Sequence, residues 1–168
     1  MDPRFPIGQF SCPTEVKRED VEQWIKEISL LPHRLRELLD GQDEVSLKKT
    51  YRENSWTVRQ LVHHIADSHL NGYVRMKLAL TEESPVVKTY EEKEWAKLAD
   101  YELPVGISIQ QIDLLHERWT FLLNRLSEKE RHRVYMLPDG SEMRIEQSIA
   151  LYAWHGKHHL AHIQLALK

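Results

Sequence analysis

The chain contains 168 residues, with 23 Lys and Arg against 26 Asp and Glu, so its formal net charge is −3. This length fits one domain, predicted over residues 1–168, and the lack of a basic excess argues against a nucleic-acid partner. A single cysteine, Cys12, excludes an intramolecular disulfide and a cysteine-based zinc module. No apolar run approaches the roughly 20 residues that span a bilayer, so we expect a cytoplasmic protein without a membrane partner. The unusual feature is a total of 10 histidines, four of which lie between His155 and His162.

Apolar residues recur at helical spacing in four long segments, while Gly and Pro fall between these segments, which predicts a mainly α fold. The first helix is predicted to begin near Pro13 or Thr14 and to end at Gly41. Pro32 lies inside it and is expected to kink the helix, because proline removes one backbone hydrogen bond.

A capping box formed by Thr57 and Gln60 predicts the start of the second helix, which is expected to end near Leu80. Residues 81–106 then form a long crossover, in which Tyr90–Ala99 is a candidate short helix. A crossover of this length means that the second and third helices need not be antiparallel neighbours.

Ser108 is the expected cap of the third helix, which ends near residue 126 or 127. The β-prone runs Val134–Leu137 and Glu142–Ile145 flank a Pro-Asp-Gly turn and predict a small hairpin. The fourth helix runs from this hairpin to the C-terminus. The predicted fold class is therefore mainly α, a four-helix bundle with a long crossover between helices two and three and a small β-hairpin before helix four.

The four clustered histidines share one face of the fourth helix with its apolar stripe, so their rings are predicted to point into the core. A lone inward histidine is more often a hydrogen-bonded core residue, but four on one face favour a metal site. His155 and His159 are four residues apart, a spacing that suits two ligands of one ion. A third ligand must come from elsewhere, and periodicity does not choose it. The candidates are His63, His64 and His69 in helix two, His116 in helix three, and His33 and His132 in loops.

Two known kinds of metal site do not fit the pattern. The string HGKHH at residues 155–159 has Gly156 where a zincin protease needs its catalytic glutamate. The chain also lacks the paired Glu-x-x-His motifs of a di-iron carboxylate bundle. A mononuclear, nitrogen-rich site is therefore favoured.

Several longer segments carry a family resemblance. They are Trp56–Glu83 (WTVRQLVHHIADSHLNGYVRMKLALTEE), Leu115–Trp119 (LHERW) and Ala150–Ile163 (ALYAWHGKHHLAHI), with Pro6–Gly8 (PIG) and Tyr51–Arg52 before them. Together they resemble the YfiT branch of the DinB/YfiT-like superfamily over nearly the whole chain. The resemblance implies a four-helix bundle that holds one divalent metal ion with one histidine of helix two and two of helix four.

Carried over residue by residue, the implied metal ligands are His64, His155 and His159. Zinc is the expected ion, with nickel or another divalent ion as alternatives. The other core and interface histidines are then expected to support the site or to pack around it. These are His63, His69, His116, His158 and His162. Members of the family are described as metal-dependent hydrolases, some are linked to transfer of bacillithiol-type thiols, and many form homodimers; no DNA-binding role is carried over.

Three neutral imidazoles leave a metal ion with an open position, which is typical of a catalytic site. The favoured function is transfer of a low-molecular-weight thiol co-substrate, attacking a small electrophile as a metal-bound thiolate. The alternatives are a hydrolase that uses metal-bound hydroxide and a non-catalytic metal-binding protein. Hydrolysis usually also needs a carboxylate near the metal, and neither Asp67 nor Glu117 is placed there by periodicity. Cys12 is expected to be an ordinary thiol, and Arg59 and Arg75 are expected to be exposed or paired.

Overall fold

The structure is a computed structural model that describes residues 2–168. Its four long helices are α1 (Arg18–Leu39), α2 (Val58–Thr81), α3 (Val105–Leu123) and α4 (Ile145–Leu167). Strands β1 (Val134–Met136) and β2 (Glu142–Arg144) form an antiparallel hairpin directly before α4. The predicted fold class is therefore confirmed. Within residues 2–168, no helix has the length and apolar character needed to cross a membrane.

Short helical turns lie in the connections between these elements. They are α-helical turns at Glu44–Leu47, Glu92–Trp95 and Glu128–Arg131, and a 3-10 turn at Ala99–Glu102. The second of the α-helical turns falls inside the crossover segment that was predicted to contain a short helix. The other two were not predicted, because a single turn is too short to show a periodic pattern.

Two helix starts differ from the prediction. α1 begins at Arg18, because the Asp20 carboxylate accepts a hydrogen bond of 3.0 Å from the backbone N–H of Lys17 and so caps the helix there. α3 begins earlier than expected, directly after Pro104, so Ser108 lies inside the helix and is not its cap. The predicted capping box at the start of α2 is confirmed.

The predicted kink site, Pro32, is buried within one uninterrupted helix and does not divide α1 in two. A proline can be accommodated in a helix that is held by tertiary packing, although it removes one backbone hydrogen bond. α1 therefore enters the bundle as a single element.

Helices α1 and α2 each pack against both α3 and α4. α2 and α3 are parallel, since His63 contacts Ser108 near their first turns and Met76 contacts Trp119 further along both helices. Two consecutive long helices can be parallel neighbours only when the connection runs back along the bundle, and residues 82–104 make that return. The crossover therefore lies alongside α2, where it can contribute side chains to a site on that helix.

The bundle core is histidine-rich between two apolar clusters. One cluster contains Met76, Trp119 and Tyr152, and the other contains Ala66, Ile112 and Leu160. The buried or half-buried rings that lie between them belong to His69, His116, His155 and His159. Histidines thus replace apolar residues on the core-facing sides of α2, α3 and α4 at one level of the bundle. Together they form a polar layer inside the core.

Two glycines allow close helix packing around this layer. A Cβ atom on Gly72 would lie 2.2 Å from Cζ of Tyr152, and a Cβ atom on Gly156 would lie 2.8 Å from Cδ2 of Leu31. The glycine within the HGKHH string therefore has a packing reason, since a side chain there would collide with α1.

Candidate metal centre

One imidazole from α2 and two from α4 converge inside the bundle. A ring nitrogen from each of His64, His155 and His159 lies within 4.8 Å of the other two. The rings of His64 and His159 are buried, whereas His155 is partly exposed. The structure thus brings together the three residues that the family resemblance selected, including the α2 histidine that periodicity could not choose.

The three rings are neutral at physiological pH. Burial lowers the pKa of His64 to about 4. Burial, together with the neighbouring imidazoles, also holds the pKa of His155 and His159 well below the usual value. Neutral imidazole is the form that offers a lone pair to a metal ion, so the electrostatic environment of the cluster suits cation binding.

The distance between the two closest rings also suits a shared ion. Nε2 of His64 lies 3.2 Å from Nε2 of His155. Two nitrogens bound at about 2.0–2.1 Å to one tetrahedral zinc ion are about 3.3 Å apart. A divalent cation therefore fits the donor set and its spacing.

A chain of buried histidines, which we call the core relay, connects His155 to the backbone of α1. Nδ1 of His155 is 3.1 Å from Nε2 of His69, and Nδ1 of His69 is 2.9 Å from Nε2 of His116. The chain ends where Nδ1 of His116 meets the carbonyl oxygen of Ile28 at 2.7 Å. A carbonyl oxygen can only accept, so each Nδ1 in this series carries the proton and donates it onward. The lone pair of His155 is therefore on Nε2, the nitrogen that faces His64.

A shorter chain, the terminal relay, starts from His159. Its Nδ1 is 3.3 Å from Nδ1 of His162, and Nε2 of His162 is 3.3 Å from the carbonyl oxygen of Arg4. By the same argument, His162 donates from Nε2, accepts at Nδ1, and leaves the lone pair of His159 on Nε2. The Tyr51 ring stacks on His162 with 3.9 Å between the ring centroids, which holds the relay in place.

His64 has a different environment. Its Nδ1 is buried and has no hydrogen-bond partner among the side chains and backbone of residues 2–168. Its ring packs against Trp56, with 4.5 Å between the ring centroids. This candidate ligand is therefore positioned by aromatic packing and not by a relay.

The remaining histidines of the core occupy supporting positions. His63 donates from Nε2 to the carbonyl oxygen of Leu103 at 3.0 Å and accepts from the Ser108 hydroxyl at Nδ1 at 2.7 Å, so it joins α2 to the crossover and α3. His158 stacks on Trp154, with 4.4 Å between the centroids.

A second triplet of ring nitrogens, from His158, His159 and His162, also lies within 4.8 Å. It shares His159 with the first triplet, and two of its members already face each other in the terminal relay.

The polar residues that sequence analysis weighed for a catalytic role lie outside the cluster. The Asp67 carboxylate accepts a hydrogen bond of 2.7 Å from the Tyr101 hydroxyl, and Glu117 is exposed. Burial and the nearby Glu146 raise the pKa of the Cys12 thiol, which makes it a poor nucleophile.

A cavity of about 250 Å³ adjoins the centre on the side of His155. Its walls come from α2, the crossover and α4, and they contain Ser68, Arg75, Thr89, Tyr90, Glu92, Leu151, Tyr152 and His155. Burial raises the pKa of Glu92, and the positive charge of Arg75 partly offsets this increase. A larger cavity of about 480 Å³, beside the start of α1, contains none of the three candidate ligands.

Sequence reasoning missed the crossover residues of this cavity, because an irregular segment has no period that shows which way its side chains point. It also placed Arg75 among the exposed or paired arginines. Arg75 is instead half-buried, and its Nη2 donates to the carbonyl oxygen of Lys88 at 2.9 Å. Arg59, in contrast, pairs with Glu44 as expected.

Comparison with known proteins gives close relatives over the whole chain. The model of the DinB superfamily matches residues 27–163. The "Putative metal-dependent hydrolase BH0277" of Halalkalibacterium halodurans is 68% identical over 167 residues, which cover 99% of this chain and 98% of that protein. The similarly named OB0782 of Oceanobacillus iheyensis is 47% identical over 163 residues, which cover 97% of this chain and 95% of the relative.

Solved structures show the same fold. YfiT from Bacillus subtilis, described as a probable metal-dependent hydrolase with an unusual four-helix bundle topology, matches with a TM-score of 0.94 at 37% identity, covering 98% of this chain and 95% of YfiT. The mycothiol-dependent maleylpyruvate isomerase matches with a TM-score of 0.67 at 16% identity, covering 85% of this chain and 60% of that protein. At that identity the second likeness shows the fold alone.

Proposed function

The chain belongs to the DinB superfamily, as its motifs predicted, and from this premise we propose that it is a metal-dependent hydrolase of small molecules. The proposed ligands of its single divalent ion are His64, His155 and His159. The observation that carries the proposal is the convergence of these three neutral rings beside a cavity that also contains a carboxyl group, Glu92. The names of the relatives support the same activity.

The protein's contribution to metal binding is a set of fixed lone pairs. A divalent ion held by three neutral imidazoles keeps its full charge and lowers the pKa of a water or thiol at its open position. The two relays keep the protons of His155 and His159 on Nδ1, so that both rings present Nε2. Zinc is the expected ion, and nickel is the main alternative.

Glu92 supplies the group whose absence made hydrolysis the less favoured prediction. An attacking water must lose a proton, and a carboxylate in the same cavity can accept it. Partial burial of its carboxyl group raises the pKa of Glu92 above its ordinary value, although the residue as a whole is exposed. Hydrolysis is therefore favoured over thiol transfer in this proposal.

Transfer of a low-molecular-weight thiol such as bacillithiol is the second candidate. A divalent ion held by the same three imidazoles would lower the pKa of a bound thiol, so that no separate base is needed. The thiol would be a diffusible co-substrate, because burial raises the pKa of Cys12. The homodimer implied by the resemblance and the cytoplasmic location expected from the sequence remain predictions.

The first experiment measures the metal content of protein purified without added metal, followed by assays of metal-free and zinc-loaded or nickel-loaded protein. A panel of small esters and amides is tested with and without low-molecular-weight thiols. We expect turnover that requires metal but no thiol. Glu92→Gln should lower kcat by roughly 100-fold or more while the bound metal is retained.

Other outcomes would contradict the proposal. Turnover that requires a thiol and is unchanged in Glu92→Gln would favour thiol transfer. Stoichiometric metal without turnover on any substrate would favour the non-catalytic alternative. Metal retained at the wild-type level by His159→Ala would refute the ligand assignment, and His33→Ala, which changes an exposed histidine, is the matched control.

A further inference from the structure

The cavity beside His155 contains one positive charge, Arg75, and one carboxyl group, Glu92, which makes no close ion pair with it. Arg75 is one of its walls, and within residues 2–168 no ion pair joins this arginine to a carboxylate. The carbonyl oxygen of Lys88 accepts from Nη2 at 2.9 Å and fixes the guanidinium. Its Nε is buried and has no acceptor within normal hydrogen-bond geometry in the part of the chain that the structure describes, while the Tyr152 hydroxyl lies near the guanidinium.

A second donor lies in the same cavity without a partner. The Tyr90 hydroxyl is buried and has no partner within normal hydrogen-bond geometry among residues 2–168, and Ser68 is the hydroxyl group near it. Its ring packs against Trp95, with 4.4 Å between the centroids, which restricts its orientation. Burial raises the pKa of Tyr90, so the hydroxyl keeps its proton and can donate it. Buried donors without acceptors are rare in native proteins and need an explanation.

We propose that Arg75 and Tyr90 bind an anionic group of the substrate, a carboxylate or a phosphate, beside the metal centre. The inference rests on the proposed function and deepens it, because it names the substrate class as small anionic esters or amides. A guanidinium and a hydroxyl are the donors that such an anion requires. At about 250 Å³, the cavity is smaller than the roughly 300–1,000 Å³ typical of drug-sized ligands, so the substrate is small.

The remaining walls of the cavity are compatible with a substrate whose anionic group lies at Arg75. Tyr152 can lie against α2 because Gly72 has no side chain, and its ring closes one wall. His155 and Glu92 line the same space, so a molecule held by its anion at Arg75 places its remaining atoms next to the proposed metal ligand and the proposed base. The anion is drawn to Arg75 and not to the Glu92 side, because like charges repel.

Calorimetric titration of metal-free protein tests the subsite without requiring turnover. The probes are glutarate, inorganic phosphate and the neutral analogue glutaramide. We expect one of the two anions to bind and glutaramide not to bind. Arg75→Met should weaken anion binding by at least about tenfold, and Tyr90→Phe should weaken it by about threefold to tenfold. Arg118→Met, which changes an exposed arginine on α3, should leave binding unchanged.

Arg75→Lys keeps the charge without the guanidinium and should bind the anion more weakly than wild type, which provides a second reading if Arg75→Met does not fold. Whichever of glutarate and inorganic phosphate binds more tightly identifies the anionic group of the substrate as a carboxylate or a phosphate. The proposal is overturned if neither anion binds at millimolar concentration, if glutaramide binds equally well, or if both Arg75 variants bind like wild type. Anion binding that depends on Arg75 in a protein without hydrolase activity would keep the subsite and refute only the proposed function.

Discussion

The core relay and the terminal relay support two neighbouring histidines of α4 by the same chemistry in different surroundings. The core relay passes through two buried rings, has ring contacts of 3.1 and 2.9 Å, and ends on α1 at 2.7 Å. The terminal relay passes through one ring, has contacts of 3.3 Å, and ends on the segment before α1. Short hydrogen bonds are stronger than long ones, so the core relay has the stronger contacts.

The comparison shows that the far end of each relay determines which nitrogen faces the cluster. Both chains end on a backbone carbonyl, which can only accept, and this single constraint fixes every ring before it. A carbonyl group that is held rigidly should fix the positions of the ring protons more firmly than one that can move. We therefore expect the core relay to contribute more to metal affinity than the terminal relay.

The largest effect is expected for His69→Phe, which removes the central ring nitrogens of the core relay but keeps an aromatic ring of similar size. The Nδ1–H of His155 and the Nε2 of His116 would then be buried without partners. Zinc affinity should fall roughly 10- to 100-fold, measured by competition with a chromophoric chelator. The free energy of unfolding of the metal-free protein should fall by about 3 kcal/mol in urea titrations. Unchanged zinc affinity in a folded variant would refute the relay.

The pH dependence of stability tests the protonation state of the core relay. Burial lowers the pKa of His116 to about 4 in the folded protein, against about 6.5 in the unfolded chain. As the pH falls below 6.5 the unfolded chain takes up the proton first, so stability is lost between about pH 7 and pH 4 and is unaffected above that window. One such ring should account for about 2 kcal/mol between pH 7 and pH 5.

Urea unfolding of metal-free His116→Gln at pH 7 and pH 5 tests whether His116 causes this loss of stability. The variant should be less stable at pH 7, because the chain through His69 is broken, but its stability should fall less steeply with acid. A slope equal to that of wild type would show that His116 is not buried as a neutral ring.

A smaller effect is expected for His162→Phe, the matched change in the terminal relay. The new ring can keep the stacking on Tyr51, while His159 loses its acceptor. Zinc affinity should fall by about tenfold or less, since the lost contact is longer than the contacts of the core relay. A loss as large as that of His69→Phe would show that contact distance does not rank the two relays.

The same contrast explains what could be predicted from the sequence. Periodicity predicted the helices and the inward face of α4, because an apolar stripe interrupted by histidines is visible in the sequence. It could not choose between His63 and His64, since both neighbours are buried, and the choice depends on partners supplied by Leu103 and Ser108 on other elements. The family motifs selected His64 where spacing alone did not.

The helix starts and the crossover residues of the cavity could not be predicted from the sequence, for a related reason. Ser108 is a good capping residue, but the helix begins before it, and its hydroxyl serves His63 instead. Glu92 lies in a single helical turn that shows no period, so its place in the cavity that His155 also lines follows from the path of the crossover along α2. A long return segment between two parallel helices can therefore add side chains to a cavity that the helix pattern does not reveal.

The smallest effect is expected when the far end of the terminal relay is removed. A variant that lacks residues 2–5 loses the Arg4 carbonyl, so Nε2–H of His162 must donate to water. Zinc affinity should fall only a few-fold, because a water molecule can accept the same proton. Combining the deletion with His162→Phe should add little to the loss caused by His162→Phe alone, since both changes break one chain of contacts. Fully additive losses would mean that the segment acts on the metal centre by another route, such as the packing of Phe5 near His158.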